Sequence, residues 1–495
     1  MESQNNFITE EHSKKLPTVR IKKVVLDNFK NVGHGTVEFN CGKKFVPYGT
    51  KSDILGIYGQ NGSGKTSFIE SLEILKSLMS GHSVSDEFVD CIAVNKEFAE
   101  LTFDFDLQYP DGKIREATYA FCLGKREATK EEISEKYKDA SDDTKIPDNE
   151  IWVNIFNERL YLDWEDSKKK QVIIDTTSKV KETTNLSATP PFGPDSKRSL
   201  LAGGKKNVEL LERIKKNASL NSKSFIFLSD TLSVFMDKKK QKEGKIFYEV
   251  LAELNHYAKY YLFVLPTKAS GLIRLNLALT MYSRFGRLSF PTMDPFVVDN
   301  ESFQELEKAI KNTSFVLKQL VPGLSIELEK ISDTKTKSGK PAANVILVTR
   351  RDQSEFTIPI RSESDGIRRL ISMLHLLVSA FNDKSITVAI DEFDAGIYEY
   401  LLGEILKALE DYGKGQFIFT SHNLRPLEVI NRKFLCFTTT DPDERYCRLK
   451  NIASTNNLRD TYFREIMFNE QDQELYNPTK IQNIVAAIKD LKNED

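Results

Sequence analysis

The sequence predicts an α/β protein: a mixed β-sheet, an antiparallel β lobe near the N-terminus and an inserted helical arm. Three observations predict it. An apolar run with β-branched residues, DILGIYG (53–59), ends in glycine, and TSFIESLEILKSLM (66–79) then has apolar residues at helical spacing. A second apolar strand pattern, Ile386 to Ile390, runs into the carboxylates Asp391-Glu392. Alternating segments flank the first helix as strand pairs, while the middle of the chain carries helical periodicity.

Taken in order, residues 1–17 read as a disordered tail. TVRIKKVVLDNFKNVGHGTVEFN (18–40) alternates like two strands around a turn. After the first helix, residues 97–124 read as a β-hairpin turning at Pro110-Asp111-Gly112. Residues 125–150 are charged and lose apolar periodicity, which marks a surface insertion; another strand pair spans about 151–176. The N-terminal lobe therefore covers 18–176. Residues 177–320 form the expected arm: a Lys/Ser/Thr/Asn-rich stretch to 223 with a Pro/Gly break, then a mainly helical pattern from about 224. Its clearest helical pieces are 245–265 and 302–320. Strands return after Pro322-Gly323, so a C-terminal lobe is expected over 321–455, with a helical tail over 456–495. No heptad run is long enough for an extended coiled coil.

Composition narrows the classes. Seventy basic residues face 72 acidic ones, which argues against coating nucleic acid by bulk charge. The five cysteines, Cys41, Cys91, Cys122, Cys436 and Cys447, include no C-x-x-C pair and read as buried thiols of a reducing compartment. The first residues lack an apolar core and do not read as a signal peptide. No run approaches the roughly 18 apolar residues of a bilayer span. The expectation is a cytoplasmic protein without a membrane partner.

The chemistry is carried by Gly59-Gln-Asn61-Gly62-Ser63-Gly64-Lys65-Thr66, which matches G-x-x-x-x-G-K-[ST] at every fixed position, with Ser67 next. Strand, glycine loop and helix are the context that gives the pattern meaning. Backbone N–H groups of the loop and helix start point at phosphate oxygens. Lys65 adds a cation, and the Thr66 hydroxyl can ligate Mg²⁺. Strands often end in acids, so Asp391-Glu392 is weak evidence alone. Joined to the loop it reads as the second half of an ATP site, with Asp391 holding Mg²⁺ and Glu392 polarising the attacking water. Upstream, Ser364-Asp365-Gly366 precedes a helical pattern. The plain reading of Ser364 is an N-cap. The functional reading presents Ser364 and Gly366 to a γ-phosphate held by a second copy. Downstream, QFIFT is followed by Ser421-His422-Asn423, where His422 can contact the γ-phosphate.

These motifs, with LDNFKN at 26–31, resemble the ABC-type ATPase head of the SMC/OLD class, particularly the OLD-like AAA ATPases of bacterial anti-phage defence. The resemblance covers 20–124 and 302–430, and reaches the middle only by topology. It implies an ABC-type P-loop head, ATP and Mg²⁺, and a homodimer or higher oligomer with shared sites. It also places Lys30 and Asn31 where the N-terminal lobe touches the nucleotide. The chain departs from the family in its signature, Glu363-Ser364-Asp365, which lacks the Leu and double Gly of transporters. After the acidic pair, Ile397-Tyr398 stands where Leu-His or Leu-Asp is usual, and Gln108 is one option for the Q-loop. Family members with their own nuclease carry a TOPRIM domain. Here 73 residues follow His422, and Asp441-Pro-Asp443-Glu444 reads as a hairpin turn. The resemblance therefore implies a standalone ATPase subunit, like those of the PARIS and Septu systems, working with a separate TOPRIM or HNH nuclease and a phage-encoded trigger. A DNA-repair ATPase of the SMC/RecF type binding DNA directly is the alternative. The lysine runs 168–170 and 238–240 offer phosphate contacts or plain solvated turns.

Overall fold

The computed structural model describes residues 16–39, 48–49, 52–138, 147–163, 170–176, 205–236, 242–267, 278–283, 286–291, 294–336, 339–449, 457–468, 474–476 and 481–490. Cys41, the tail to residue 15, Lys168, Lys169 and Lys238–Lys240 lie outside them.

The elements run β1 (Thr18–Phe29), β2 (Val32–Glu38), β3 (Asp53–Tyr58), α1 (Lys65–Met79), β4 (Phe98–Gln108), β5 (Ile114–Glu127), α2 (Lys130–Lys136), β6 (Ile151–Asp163), β7 (Lys170–Asp175), α3 (Lys205–Leu220), α4 (Ser229–Met236), α5 (Lys242–Tyr260), β8 (Leu262–Leu265), β9 (Ala278–Ser283), β10 (Gly286–Pro291), β11 (Phe296–Asp299) and α6 (Asn300–Leu320). They continue with β12 (Leu324–Lys335), β13 (Pro341–Arg351), β14 (Thr357–Pro359), α7 (Asp365–Asn382), β15 (Thr387–Ile390), α8 (Glu399–Tyr412), β16 (Gln416–Thr420), α9 (Pro426–Val429), β17 (Leu435–Thr438), β18 (Tyr446–Cys447), α10 (Leu458–Phe468) and α11 (Ile481–Asp490). They fall into two compact units, one of residues 1–48, 55–264 and 431–495, the other of residues 49–54 and 265–430.

In the first unit, β2-β1-β4-β5-β6-β7 form one antiparallel sheet. Alternation places Val24, Leu26, Leu101, Phe103, Phe105, Tyr119 and Phe121 in its core. The 97–124 hairpin turns where Pro110-Asp111-Gly112 predicts, closed by Gly112 N–H donating to the Tyr109 carbonyl at 2.9 Å. The charged stretch after β5 holds α2, whose Thr129 and Glu132 form a capping box. Helix α1 buries Phe68, Ile69, Leu72, Leu75 and Leu78. It stops at Gly81, whose φ of +79° ends the helix. Asn255 of α5 donates to the Met79 carbonyl at 2.6 Å and ties α5 to that end. Glu158 is buried on β6, taking hydrogen bonds from Tyr119 Oη (2.6 Å), Ser224 Oγ and the Phe225 N–H (2.7 Å). Burial holds its carboxyl above the usual range.

In the second unit, β13 pairs with β11, β12 and β14, all antiparallel. Helix α6 lies on this sheet, with Ser314 Oγ accepting from the Ile326 N–H at 2.9 Å. Strands β15 and β16 pair in parallel, as two buried apolar runs joined by a helix should.

One stretch differs from its sequence pattern. Between 224 and 320 the periodicity reads as mainly helical, but among the described residues four short strands, β8 to β11, fall between α5 and α6. The single helical piece expected over 245–265 ends at Tyr260, and LFVL becomes β8. A four-residue apolar run gives no periodicity with which to tell strand from helix. Among the described residues no helix is long and apolar enough to cross a membrane.

Candidate functional site: a glycine loop and an acidic turn

The glycine loop belongs to the first unit. Gly64 is the N-cap of α1 with φ +100°, a conformation that side chains rarely adopt. Helix geometry leaves the first N–H groups of α1 without intrahelical acceptors, and Gly64 has no side chain to cap them. Lys65 is buried, its Nζ donating to the carbonyls of Gly59 and Gln60 at 2.8 Å each. Ser63 Oγ donates to the Gln60 carbonyl at 2.6 Å. Asn61 and Gly62 are exposed, and Thr66 is half-buried at the start of the helix.

Lys30 and Asn31 sit beside this loop. Asn31 Nδ2 donates to the Gly62 carbonyl, and its Oδ1 accepts from Ser67 Oγ at 3.2 Å. Lys30 pairs instead with Glu70 of α1, a carboxylate that is otherwise buried. Sequence reasoning missed three neighbours. Thr438 Oγ1 lies 2.5 Å from Ser63 Oγ and donates to the Tyr58 carbonyl at 3.2 Å. Tyr446 Oη donates to the Gly64 carbonyl at 2.7 Å. Arg445 donates to the carbonyls of Thr439 (2.7 Å) and Asn31, and burial pulls its pKa down. All three come from β17, β18 or the turn between them; β17 pairs with β3 in parallel. No local pattern announces them, because the contacts span more than 370 residues of chain. The Asp441–Glu444 segment is the hairpin turn its sequence predicts, with Asp443 N–H donating to Asp441 Oδ1 at 2.8 Å. Gln108, at the end of β4, accepts the Tyr48 N–H at 3.0 Å.

The acidic turn belongs to the second unit. Asp391 is fully buried after β15; Oδ1 accepts from Thr420 Oγ1 at 2.5 Å and Oδ2 from Thr267 Oγ1. Glu392 has φ +47°, uncommon for a residue with a long side chain. Arg369, buried on α7, donates to the carbonyls of Asp391 (2.8 Å) and Glu392 (2.7 Å). Burial lowers its pKa, while the charges of Glu392, Asp394 and Asp391 oppose that shift. Asp394 Oδ2 accepts the N–H groups of His422 (3.2 Å) and Asn423 (2.9 Å). The acidic turn thus holds the loop that carries the exposed His422 side chain.

Ser364 is exposed and caps α7, accepting from the Ile367 N–H. Glu363 before it makes a bidentate pair with Arg351, both contacts 2.8 Å, which holds its carboxyl below the usual range. Gly366 packs against the acidic turn of its own unit. A Cβ there would meet the Gly396 carbonyl oxygen at 2.2 Å, so the position faces its own acidic turn at backbone distance. A bulky residue at 366 would disturb that turn directly, rather than only blocking a second copy.

Each unit therefore gathers its own group: Lys30, Asn31 and Gly59–Ser67 in one, Ser364, Gly366, Asp391, Glu392 and His422 in the other. A strand–glycine loop–helix with a buried lysine, and a buried strand ending in two carboxylates, are the two parts of a P-loop NTPase.

The chain belongs to the AAA ATPase domain family, whose model matches residues 20–425, and it is an α/β P-loop ATPase. No curated protein sequence matches it. Among solved structures it is similar to the Smc head domain with a coiled coil and joint from Pyrococcus yayanosii, at 12% identity and TM-score 0.41, over 90% of this chain and 99% of that one. The SMC head domain from Thermotoga maritima matches at 13% identity and TM-score 0.33, over 87% and 100%. The recombination mediator RecF of the RecFOR pathway, with ATPrS, matches at 13% and 0.33, over 87% and 98%.

Proposed function

We propose that this ATPase works as an oligomeric sensor and scaffold controlling a separate effector nuclease in anti-phage defence. The observation that carries the ATPase part is the buried Lys65 at the start of α1, folded onto the glycine loop's carbonyls. The loop N–H groups and Lys65 bind the β- and γ-phosphates. Thr66 of the first unit offers a hydroxyl oxygen and Asp391 of the second a carboxylate, donors of the kind that suit Mg²⁺. When bound, Mg²⁺ would supply positive charge to offset that of the phosphate oxygens. Glu392 takes the proton of the attacking water, and His422 contacts the γ-phosphate. Asn31 braces the loop through Gly62, while Lys30 steadies α1 through Glu70.

Ser364 and the N-terminus of α7 act on the nucleotide of a second copy, so the active form is a homodimer or larger. Exposure of Ser364 supports this. The defence role, the nuclease partner and the phage-encoded trigger rest on the motifs ESDGIRRL, IDEFDAGI and TSHN. Mixing tests the shared site. Lys65→Ala and Ser364→Arg are each expected to be inactive, and together to recover part of the ATPase rate after subunit exchange. A flat, zero response to mixing ratio would leave Ser364 as a helix cap and remove the shared site.

A further inference from the structure

Glu392 is the one acidic residue at positive φ among the described residues, and the peptide groups on both sides of its Cα are fixed. In the preceding peptide, the Asp391 carbonyl accepts from Arg369 Nη2 at 2.8 Å and the Glu392 N–H donates to Thr420 Oγ1 at 2.8 Å. In the following peptide, the Glu392 carbonyl accepts from the same Arg369 nitrogen at 2.7 Å, and the Phe393 N–H donates to the Thr420 carbonyl at 2.9 Å. All four polar groups that define φ and ψ of Glu392 are thus held by two residues, one on α7 and one at the end of β16. A left-handed backbone at a non-glycine residue persists only when its surroundings over-determine it, and such positions gather at functional sites.

We propose that Arg369 and Thr420 are positioning residues that hold Glu392 in its left-handed conformation and so aim its carboxylate for water activation. Both act through Glu392, by the hydrogen bonds to its flanking peptides. Thr420 has a second task through the same hydroxyl, which donates to Asp391 Oδ1 at 2.5 Å. One side chain therefore sets both members of the acidic pair. Arg369 is suited to the work because one planar, charged donor group can take two carbonyls at once. The inference rests on Glu392 being the base.

The test uses the full-length protein. Thr420→Val keeps shape and removes the hydroxyl, Thr420→Ser keeps the hydroxyl, and Arg369→Met keeps bulk and removes the donors. Melting temperature confirms folding, calorimetry gives ATP affinity, and steady-state assays give kcat. Thr420→Val and Arg369→Met are expected to bind ATP within about twofold of the parent and to lose about 10²-fold or more in kcat, the scale of a 1 Å misplacement. Thr420→Ser is expected to restore kcat to within a few-fold. A residue that only packs the turn would not split kcat from affinity in this way, nor be rescued by serine. Glu392→Gln is measured alongside. Slow Glu392→Gln with parental rates in the folded Thr420→Val and Arg369→Met variants would overturn the positioning role and leave the base in place. A parental rate in Glu392→Gln would overturn the base itself.

Discussion

Gly366→Ala is a small change with a large expected effect. The new Cβ would lie 2.2 Å from the Gly396 oxygen and 3.1 Å from its carbonyl carbon. Ordinary contact starts at 3.4 Å, so the oxygen must retreat by about 1.2 Å. It belongs to backbone and cannot rotate away. Gly396 itself sits at φ +75° in a turn cross-braced by Ala395 N–H to Glu392 O (2.9 Å) and Ile397 N–H to Asp394 O (3.0 Å). The displacement is therefore passed to Glu392. Overpacking of this kind costs about 1–3 kcal/mol, and the rigid neighbour argues for the upper part. With roughly 2–4 °C per kcal/mol for 150–250 residues, the melting temperature should fall by about 4–12 °C. Moving the base by about 1 Å should also lower kcat by about 10²-fold. Scanning calorimetry and a steady-state ATPase assay read both. Ser364→Ala, two residues earlier, is the stability control: losing the cap alone costs about 1 kcal/mol. If Gly366→Ala melts and turns over like the parent, the backbone contact with Gly396 is not made and the reasoning fails.

Two further outcomes follow from groups that brace the first unit. Tyr446→Phe keeps the buried ring but removes the donor to the Gly64 carbonyl; stability should fall by about 1–3 kcal/mol and ATP should bind more weakly, and unchanged calorimetric affinity would separate Tyr446 from the loop's function. Burial pushes the Glu253 carboxyl up to about 7 from 4.5, against the pull of its 2.7 Å hydrogen bond from Tyr109. Between those values the folded chain holds a proton that the unfolded chain has released, so this group's contribution falls as pH rises through the window and is flat above it. Glu253→Gln should flatten the decline in melting temperature from pH 5 to pH 8; an unchanged slope would assign it elsewhere.

What the sequence made legible was local. The glycine loop, α1, the 97–124 hairpin and the Ser364 cap each depend on residues within a few positions of one another, where spacing carries the physics. What stayed hidden depends on contacts between distant segments. Thr438, Arg445 and Tyr446 meet the loop because β17 pairs with β3, and nothing in their own neighbourhood says so. Arg369 looks like one of two ordinary helix arginines; only burial beneath the acidic turn separates it from Arg368. The close approach of Gly366 to the Gly396 backbone, 30 residues on, is likewise not written in its own neighbourhood. Strands β8 to β11 are four to six residues each, too short to outweigh the long helical patterns around them.

The central claim is that Lys65 binds ATP and Glu392 turns it over. The direct measurement compares Lys65→Ala with Glu392→Gln for ATP affinity by calorimetry and for phosphate release. Removal of the Lys65 cation is predicted to abolish binding while the melting transition survives. Glu392→Gln is predicted to bind ATP like the parent and to release phosphate about 10²–10⁴ times more slowly. Parental phosphate release by Glu392→Gln, or parental ATP affinity in folded Lys65→Ala, would contradict the account.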